Sequence, residues 1–520
     1  MSAADSVEVP AQGRLRFWVT LVGLLMTTAL ASLDNFIINP ALPLIVSEFG
    51  GLERLSWVMT AFMLASTVTM PLYGKFSDIH GRRALFTVSI TFFLLGSLLC
   101  GLASSMLQLI LFRAVQGLGA GGVQVLAMTT MGDIVSPRER PRYQGLFNLT
   151  NLLAGIAGPV VGGAVTQYWG WRWVFYINLP IGALALAVLW FVLPRRLAHR
   201  REHVIDFPGI ALLVVGTVSF LLLLGALEGT RAASVWEMAG MGLACIGAFA
   251  LLVWQERRSA EPILAVGMLA NPVFARTVLS SAMIGLAFFG SSVYLPLFFQ
   301  MVGGLSTAQS GLMLLPHVIA GTAVSLIGGQ IIARTGRYKA PIVGGMALLA
   351  CGFFCLAAVT RLELGLPAWI VSCMMMGAGG GLCMPNLMVA LQNTVPREDL
   401  GLGTSSMQFC NQLAAVAGVG IAGLILSQQI RANALAWFPA ERVEEVVSQG
   451  AVLARTLGPE GLSRLAQVYE NAFLVNFAMG GVLTVLAALV ATRIPQIRLS
   501  ERIGGGPAPA RSPEAPVAAR

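Results

Sequence analysis

Asp34 is the only ionisable residue in the first long apolar run of the chain, residues 17–38. A charge at the centre of a membrane-spanning helix costs roughly 2.5–3.5 kcal/mol on insertion scales. Chains that retain such a group usually bury it in a polar cavity, where a carboxylate can take up and release a proton. From this run alone a second interpretation is equally open: Asp34 lies near the outer end of its helix, and its side chain reaches the membrane interface.

A permanent cation, Arg113, interrupts the fourth apolar run, which reads Leu-Phe-Arg-Ala-Val-Gln-Gly-Leu-Gly from residue 111 to 119. A guanidinium group does not give up its proton inside a protein. Arg113 therefore requires a partner in the interior of a helix bundle.

Enzymatic chemistry finds no support among the remaining reactive residues. The four histidines are scattered, and no nucleophile–base pair or metal-ligand cluster stands out. All seven cysteines fall within apolar runs without a Cys-x-x-Cys pair, which indicates small core residues rather than a zinc site or a disulfide framework. The sequence therefore predicts no catalytic residues, no bound metal and no cofactor.

The elements that must position Asp34 and Arg113 are membrane-spanning helices. Hydrophobic residues make up 56% of the chain and charged residues 11%, whereas a soluble domain carries about 25% charged residues. About fourteen apolar runs approach the ~20 residues needed to span a bilayer. These runs are 17–39, 55–74, 84–104, 107–131, 143–166, 173–193, 207–227, 236–255, 274–300, 308–332, 340–360, 366–393, 403–427 and 471–492. The predicted fold class is an all-α polytopic membrane protein with about 14 transmembrane helices.

The net charge of +9 reports membrane orientation rather than a nucleic-acid partner. Most lysines and arginines lie in the alternate connecting segments that share a side with the N-terminus, among them Arg82, Arg138 and Arg337. Such a bias marks the cytoplasmic side of a membrane protein. Both termini are therefore predicted to be cytoplasmic: residues 1–16, and the Pro/Ala/Gly-rich tail 503–520, which is predicted to be disordered. The lipid bilayer is the expected surrounding.

Three sequence elements recur in the same order at nearly one offset. The segment 74–82 resembles 329–337, 137–140 resembles 396–399, and the small-residue pattern after Asn151 resembles that after Asn411. The chain is thus interpreted as two six-helix parallel-repeat halves, 17–193 and 273–502, separated by a two-helix insertion at 194–272. Parallel repeats of this kind are typical of transporters, whose substrate site lies at the interface of the halves near the middle of the membrane.

One long segment, 429–470, lies on the outer side in this topology. Val443, Val446 and Val447 give it a weak helical periodicity. An interfacial amphipathic helix is the favoured interpretation, and a binding domain is the alternative.

Two small-residue motifs carry further physical predictions. The first motif is Gly74-Lys-Phe-Ser-Asp-Ile-His-Gly-Arg-Arg83. Its glycines at 74 and 81 permit close approach of another helix or a positive φ. Asp78 can accept hydrogen bonds from helix N-termini, and Arg82 and Arg83 can bind carboxylates or lipid phosphate. In the fifth run, small residues fall along one helix stripe, which allows a second helix to pack closely. The members of that stripe motif are Gly155, Gly158, Pro159, Gly162 and Gly163, and the proline is expected to introduce a kink.

These motifs resemble those of the major facilitator superfamily, over residues from about 15 to 495. The segment 74–83 is similar to that family's signature between spans 2 and 3, 113–119 to its span-4 motif, and 155–163 to the motif of its antiporters. The segments 33–43 and 171–182 resemble those of the fourteen-helix drug:proton antiporter subfamily, the multidrug efflux permeases.

The resemblance implies roles for individual residues. Asp34 and Arg113 would couple transport to protons, so that a proton gradient is the energy source. Gly74, Asp78, Gly81, Arg82 and Arg83 would form a latch on one side of an alternating-access cycle, and Gly155–Gly163 would be the antiporter motif. The implied activity is multidrug efflux from a bacterial inner membrane.

The sequence departs from the family pattern at several positions. Phe36 and Pro40 stand where the span-1 motif usually has Thr and Val, and Ala333 stands where the first-half loop has Asp78. The tenth run contains no acid, and His317 is its only ionisable residue. His317 is interpreted either as a helix-packing residue or as a second titratable group, and Glu228 as an interfacial carboxylate.

The predicted function is proton-coupled antiport that exports amphiphilic or cationic organic compounds. A cavity dominated by Asp34 would favour cations, whereas the alternative cargo, an endogenous lipid or fatty acid, would face Arg113. Accessory periplasmic export proteins are compatible partners. Candidate polar groups of the substrate cavity are Asn35, Asn39, Gln116, Gln124, Asn151, Gln300, His317, Asn386, Gln408, Asn411 and Gln412.

Overall fold

The computed structural model describes residues 11–50, 55–193, 206–227, 234–259, 261–453 and 457–496. Within these ranges the regular secondary structure is helical, and no β-strand occurs. The segment 1–10, the tail 503–520 and Glu228 lie outside the described residues.

The amino-terminal half and the insertion supply ten helices. They are α1 Ala11–Ile37, α2 Leu42–Phe49, α3 Leu55–His80, α4 Arg82–Leu102, α5 Met106–Ile134, α6 Arg140–Trp169, α7 Trp173–Tyr176, α8 Asn178–Val192, α9 Phe207–Leu227 and α10 Val235–Glu256. The carboxyl-terminal half follows with α11 Pro272–Ser292, α12 Leu295–Met301, α13 Thr307–Leu312, α14 Leu315–Thr335, α15 Lys339–Arg361, α16 Leu366–Gln392, α17 Leu400–Ala434, α18 Ala440–Leu453 and α19 Pro459–Thr492.

The protein is a multi-pass membrane protein. Thirteen helices among the described residues are long and apolar enough to cross a bilayer. Helix α3 is not one of these thirteen but has 26 residues, which at 1.5 Å per residue extends roughly 39 Å. All fourteen predicted runs therefore coincide with a helix or a broken pair of helices.

Three of the predicted continuous runs are in fact broken, and a fourth continues past its predicted end into a second helix. The run 17–39 continues through a turn at Asn39–Ala41 into α2, and 173–193, 274–300 and 308–332 are each divided into two helices. A proline is the second residue of the helix that follows at three of these places: Pro43 in α2, Pro296 in α12 and Pro316 in α14. Proline lacks an amide hydrogen and is tolerated in the first turn of a helix. Apolarity alone gave no sign of these interruptions.

The two halves have the same internal packing. In the first half α5 packs against α3 and α4, and in the second half α16 packs against α14 and α15. Gly117 on α5 lies against the carbonyl of Phe62, and Gly377 on α16 lies against the carbonyl of His317, so closely that a Cβ would clash in both places. The contacts of α5 and α16 therefore correspond to each other.

The bundle has two ends, which we name by one residue each. The Asp78 face contains the end of α3, and the Glu48 face contains the end of α2. Both described chain ends lie on the Asp78 face, because Arg16 on α1 donates to Val192 O at the end of α8, and Gln496 accepts from Lys339 N at the start of α15.

The insertion packs across the seam between the halves. Helices α9 and α10 pair with each other, and α9 contacts both α3 and α17. Leu213 and Leu252 are buried with Phe409 of α17. Lys75 of α3 forms an ion pair at 3.3 Å with Glu261, which follows α10. The insertion thus bridges both halves at the Asp78 face.

The segment 429–470 is largely helical. Helix α17 extends to Ala434, α19 begins at Pro459, and α18 lies between them. Val443 and Val446 of α18 are buried against the second-half core, and Val446 O accepts from the Tyr469 hydroxyl at 2.9 Å. The predicted helix therefore exists and packs on the extended ends of α17 and α19.

Candidate functional site

Asp34 and Arg113 form a buried ion pair inside the amino-terminal half. Arg113 Nη1 donates to Asp34 Oδ2 at 2.6 Å, and the side chains are 0% and 1% exposed for Arg113 and Asp34 respectively. The Arg113 guanidinium also lies over the ring of Phe62, 4.1 Å from its centroid. The Asp34 side chain is therefore enclosed in the interior of the helix bundle.

Neutral polar side chains complete the surroundings of this pair. The second Asp34 oxygen, Oδ1, accepts from Gln116 Nε2 at 2.8 Å and from Asn178 Nδ2 at 2.7 Å. Gln116 also accepts from Arg113 at 2.7 Å and donates to Ser97 at 2.7 Å. All five side chains are buried. We name this cluster of Asp34, Ser97, Arg113, Gln116 and Asn178 the Asp34 network.

Four helices position the Asp34 network. Asp34 lies one turn before the end of α1, Ser97 lies on α4, Arg113 and Gln116 lie on α5 one turn apart, and Asn178 begins α8. Residues three apart on a helix share a face. For this reason Arg113 and Gln116 can both reach the same carboxylate.

The corresponding place in the second half has different chemistry. His317 of α14 occupies the position of Phe62, and its Nδ1 lies 3.0 Å from Cys373 O on α16. Its ring packs on Phe288 at 5.2 Å between centroids. Among the described residues of the second half, His317 is the only buried ionisable side chain other than cysteine and tyrosine. This contact with the main chain fits a helix-packing role.

The latch residues join the two halves at the Asp78 face. Asp78 Oδ1 and Oδ2 accept from the amides of Gly401 and Leu402, at 3.0 and 2.8 Å, in the first turn of α17. A carboxylate is stabilised at a helix N-terminus by the free amides and the helix dipole. Gly74 packs against Gly401 and Ser405 with no room for a Cβ, which is the close approach expected of that glycine.

The arginines of the latch lie on the first half. Arg82 donates to Asp78 at 2.7 Å and to Asp133 on α5 at 2.9 Å. Gly81 before it has a φ of 86°, as the sequence predicted. The guanidinium of Arg83 stacks on the ring of Trp190 at 4.1 Å. Arg82 therefore holds the Asp78 carboxylate in position for α17.

A second contact between the halves lies at Ala333, the second-half counterpart of Asp78, where no carboxylate is present. Arg138, which precedes α6, donates to the carbonyls of Ala333 and Arg334 near the end of α14, each at 2.5 Å. A cation is favourable at a helix C-terminus for the same reason that an anion is favourable at an N-terminus. The two pseudo-equivalent latches thus have opposite charge.

The small-residue motif Gly155–Gly163 packs α6 on α1. A Cβ at Gly158 would lie 2.5 Å from Phe36 Cβ, and one at Gly162 would clash with Ile37 O. Gly155 makes an ordinary contact with Phe36, and Gly163 has open space around it. Pro159 lies inside α6. Only part of the predicted small-residue stripe is therefore a close contact.

A cavity of about 200 Å³ lies between the halves. Carboxamides and methionines from both halves dominate its lining. The lining residues are Met70, Gln124, Met128, Gln144, Asn148, Asn151, Ser281, Met384, Pro385, Met388, Met407, Gln408, Asn411 and Gln412. We name this space the central cavity.

The candidate cavity residues divide into two groups. Gln124, Asn151, Gln408, Asn411 and Gln412 line the central cavity. The others are not part of this lining. Gln116 belongs to the Asp34 network, Asn39 is exposed, and His317 is packed as described above. The remaining three side chains donate hydrogen bonds elsewhere: Gln300 to Ser310, Asn35 to Ala31 O and Asn386 to Leu382 O.

Sequence reasoning missed several of the residues that the structure brings together. Asn178 and Ser97 complete the Asp34 network, and Gln144 and Asn148 line the central cavity. A signal existed for the last two, because residues 144, 148 and 151 recur at helical spacing on one face of α6. Asn178 lies in the segment 171–182, whose family resemblance marked it as part of a motif but did not indicate a contact with Asp34.

A comparison with protein families decides the classification. The model described as Major Facilitator Superfamily matches residues 24–419, most of the chain. The chain belongs to the major facilitator superfamily. It is accordingly a transporter and not an enzyme.

Relatives of this superfamily member include several named for efflux. It is 34% identical over 413 residues to Multidrug transporter protein MdtP of Bacillus subtilis, covering 78% of this chain and 75% of the relative. Multidrug resistance protein 3 of the same organism is 32% identical, with 78% of each chain covered. Efflux pump FUS6 of Gibberella fujikuroi is 30% identical, with 82% and 78% covered.

Solved structures share the fold. The human organic anion transporter MFSD10 superposes with a TM-score of 0.61 at 14% identity, covering 93% of this chain and 100% of that one. The proton:xylose symporter XylE gives 0.59 at 14% identity, covering 93% and 97%. At this identity the likeness concerns the fold alone.

Proposed function

We propose that this member of the major facilitator superfamily is a proton-coupled antiporter that exports amphiphilic organic compounds. The observation that carries the proposal is the Asp34 network: a titratable carboxylate, paired with Arg113, that four helices enclose in the membrane interior. An isolated ionised group is too costly to keep there without a partner. Its retention is best explained by a step in which Asp34 changes its charge.

Protonation of Asp34 would loosen the network. Neutral Asp34 no longer attracts Arg113, so the guanidinium loses its counter-charge and must find other acceptors. Because α1, α4, α5 and α8 all contribute to the network, a change at one carboxylate can alter their relative positions. Proton binding can thereby favour one arrangement of the halves over another, which is the requirement for coupling.

The proton gradient would supply the energy of export. Each proton that moves inward contributes about 2.3 kcal/mol per 100 mV of membrane potential and about 1.4 kcal/mol per pH unit. One proton therefore suffices to drive a moderate gradient of cargo, and no other cofactor is needed.

The contacts between the halves support alternating access. The hydrogen bonds of Asp78 to α17 and of Arg138 to α14 hold the Asp78 face together. Export would require these contacts to open so that cargo can enter the central cavity, and to close again while cargo leaves at the Glu48 face. The Asp78 face, which is rich in arginine, would then be cytoplasmic.

The names of the relatives support drug-like cargo, since MdtP and Multidrug resistance protein 3 are named for multidrug transport and resistance. A bacterial inner membrane is the location that we propose, with accessory periplasmic proteins as compatible partners. The alternative cargo, a fatty acid facing Arg113, has less support because Arg113 is enclosed and occupied by Asp34.

A panel of compounds in energised inverted vesicles tests this function. Vesicles that contain the protein should accumulate amphiphilic compounds against a gradient, and each such compound should cause release of protons from the vesicle interior. Accumulation that continues after the proton gradient is collapsed would rule out proton coupling. Failure to move any amphiphile would rule out the export function itself.

A further inference from the structure

We infer that the central cavity binds uncharged amphiphiles through hydrogen bonds, and that a positive charge on the substrate is not what it recognises. The inference rests on the proposed export function and specifies its substrate class. It differs from the expectation drawn from the sequence, in which a cavity dominated by Asp34 selects cations.

The lining of the central cavity carries no formal charge among its described residues. Its polar groups are one serine hydroxyl and seven carboxamides, with Gln124 and Asn151 in the first half and Gln408 and Asn411 in the second half. A carboxamide offers both a donor and an acceptor. A cation that entered such a site would lose its hydration without gaining a counter-charge, which is unfavourable.

The Asp34 carboxylate is not part of this lining. Gln116, which binds Asp34, precedes the cavity residue Gln124 by two turns of α5. Eight residues at 1.5 Å each separate the two levels by roughly 12 Å along the helix axis. Asp34 is also neutralised by Arg113 at 2.6 Å. An enclosed ion pair at that distance gives the cavity little net attraction for a cation.

Two amide groups of the cavity lining each have one polar atom that lacks a hydrogen-bond partner in the described part of the chain, and rotation of the side chain would turn that atom toward a ligand. Gln144 Nε2 from the first half and Gln408 Oε1 from the second half are buried and have no hydrogen-bond partner among the described residues. A buried polar group without a partner costs about 1–3 kcal/mol. A ligand with both an acceptor and a donor would satisfy one group of each half, and so would span the seam.

Methionines supply the apolar part of the lining. Met70 and Met128 lie in the first half, and Met384, Met388 and Met407 in the second. Their unbranched, polarisable side chains adapt to irregular shapes. The cavity therefore combines an adaptable apolar wall with hydrogen-bonding groups at several positions, which suits varied neutral amphiphiles better than one rigid substrate.

A pair of probes of different charge tests this inference. Chloramphenicol is uncharged and carries amide and hydroxyl groups, whereas tetraphenylphosphonium is a permanent cation without hydrogen-bonding groups. Binding of each to the purified full-length protein would be measured by isothermal titration calorimetry. We expect chloramphenicol to bind at least about tenfold more tightly than tetraphenylphosphonium. The reason is that a buried amide left without a hydrogen-bond partner lowers the affinity about tenfold or more.

Variants of Gln408 make the test specific. Gln408→Leu should weaken chloramphenicol binding about tenfold and leave tetraphenylphosphonium binding nearly unchanged. Gln408→Glu should strengthen tetraphenylphosphonium binding by introducing the charge that the lining lacks. Gln428→Leu is the matched control, because it makes the same change on the same helix at an exposed position outside the cavity lining.

Each outcome separates the inference from the export function. Two results would overturn the inference while export of cations could still stand. One is tighter binding of tetraphenylphosphonium than of chloramphenicol, and the other is an equal loss of affinity for both probes in Gln408→Leu. Absence of binding and transport for both probes, and for the wider panel of amphiphiles, would overturn the export function and the inference with it.

Discussion

Arg113 reaches Asp34 from a neighbouring helix and forms a 2.6 Å ion pair from which solvent is excluded. The pair is held by Gln116 and Asn178, which donate to the other carboxylate oxygen. Removing one partner of a buried pair leaves an uncompensated charge, which is strongly destabilising. The network is therefore stable in one charge state and must rearrange in another, and that property is what a coupling site requires.

Close packing of α6 on α1 gives the first prediction. Gly158→Leu should lower the Tm of the detergent-solubilised protein and impair transport, because its Cβ alone would lie 2.5 Å from Phe36 Cβ. Overpacking of this kind costs about 1–3 kcal/mol. Thermal unfolding followed by fluorescence, together with export assays, measures both effects.

Gly163→Leu is the matched control for this substitution. It adds the same side chain to the same helix, but nothing lies within 4 Å of its Cβ position. It should leave both Tm and transport nearly unchanged. Equal effects of the two substitutions would show that helix propensity, and not the contact with Phe36, decides the outcome.

The latch gives the second prediction. Asp78→Asn removes the negative charge that binds the first turn of α17. It also removes one of the two oxygen atoms that accept from the amides of Gly401 and Leu402. The closed arrangement of the Asp78 face should lose about 1.5–3 kcal/mol, so that turnover falls while the affinity for chloramphenicol changes little. Export rates and calorimetric affinities are the measurements.

Asp133→Asn serves as the comparison for the latch. Asp133 binds the same Arg82 at 2.9 Å but belongs to the first half. This substitution leaves both Asp78 hydrogen bonds to α17 in place and should affect turnover less. A large loss of affinity with unchanged turnover in Asp78→Asn would instead assign Asp78 to substrate binding.

Membrane orientation gives the third prediction. Glu445 on α18 and Arg337 after α14 are exposed and lie at opposite ends of the bundle. In a cysteine-free background, a membrane-impermeant maleimide added to intact cells should label Glu445→Cys and not Arg337→Cys. Permeabilised cells should show labelling of both. The reverse pattern in intact cells would invert the topology.

Much of the architecture was predictable from the sequence because membrane helices need long apolar runs and the repeat left its glycines in place. The positive φ of Gly81 and the acceptance of helix amides by Asp78 followed from local chemistry. Which carboxamides line the cavity did not follow. That depends on the rotation of each helix about its axis, which tertiary packing decides.

The second latch shows a different limit of sequence reasoning. The loss of a carboxylate at Ala333 indicated that the second half lacks a latch of the Asp78 kind. The structure places Arg138 there, binding main-chain carbonyls instead of amides. The residue types of α14 do not mark which main-chain carbonyls Arg138 binds, so this contact became visible only once the helices were placed.

The central claim, that Asp34 carries the coupled proton, is tested by Asp34→Asn. Asparagine preserves the size of the side chain but cannot titrate, and it keeps one of the two acceptor oxygens of Asp34. Glu48→Gln is the control: it makes the same carboxylate-to-amide change at a half-exposed site, where Glu48 binds Arg172 at 2.7 Å outside the Asp34 network.

The most direct measurement records chloramphenicol accumulation and proton release together in energised inverted vesicles. Asp34→Asn should abolish both, while chloramphenicol still binds the purified variant with an affinity within about twofold of the parent, since Asp34 lies outside the central cavity lining. Glu48→Gln should retain both activities. An Asp34→Asn protein that still accumulates chloramphenicol uphill with an unaltered proton response would contradict the account.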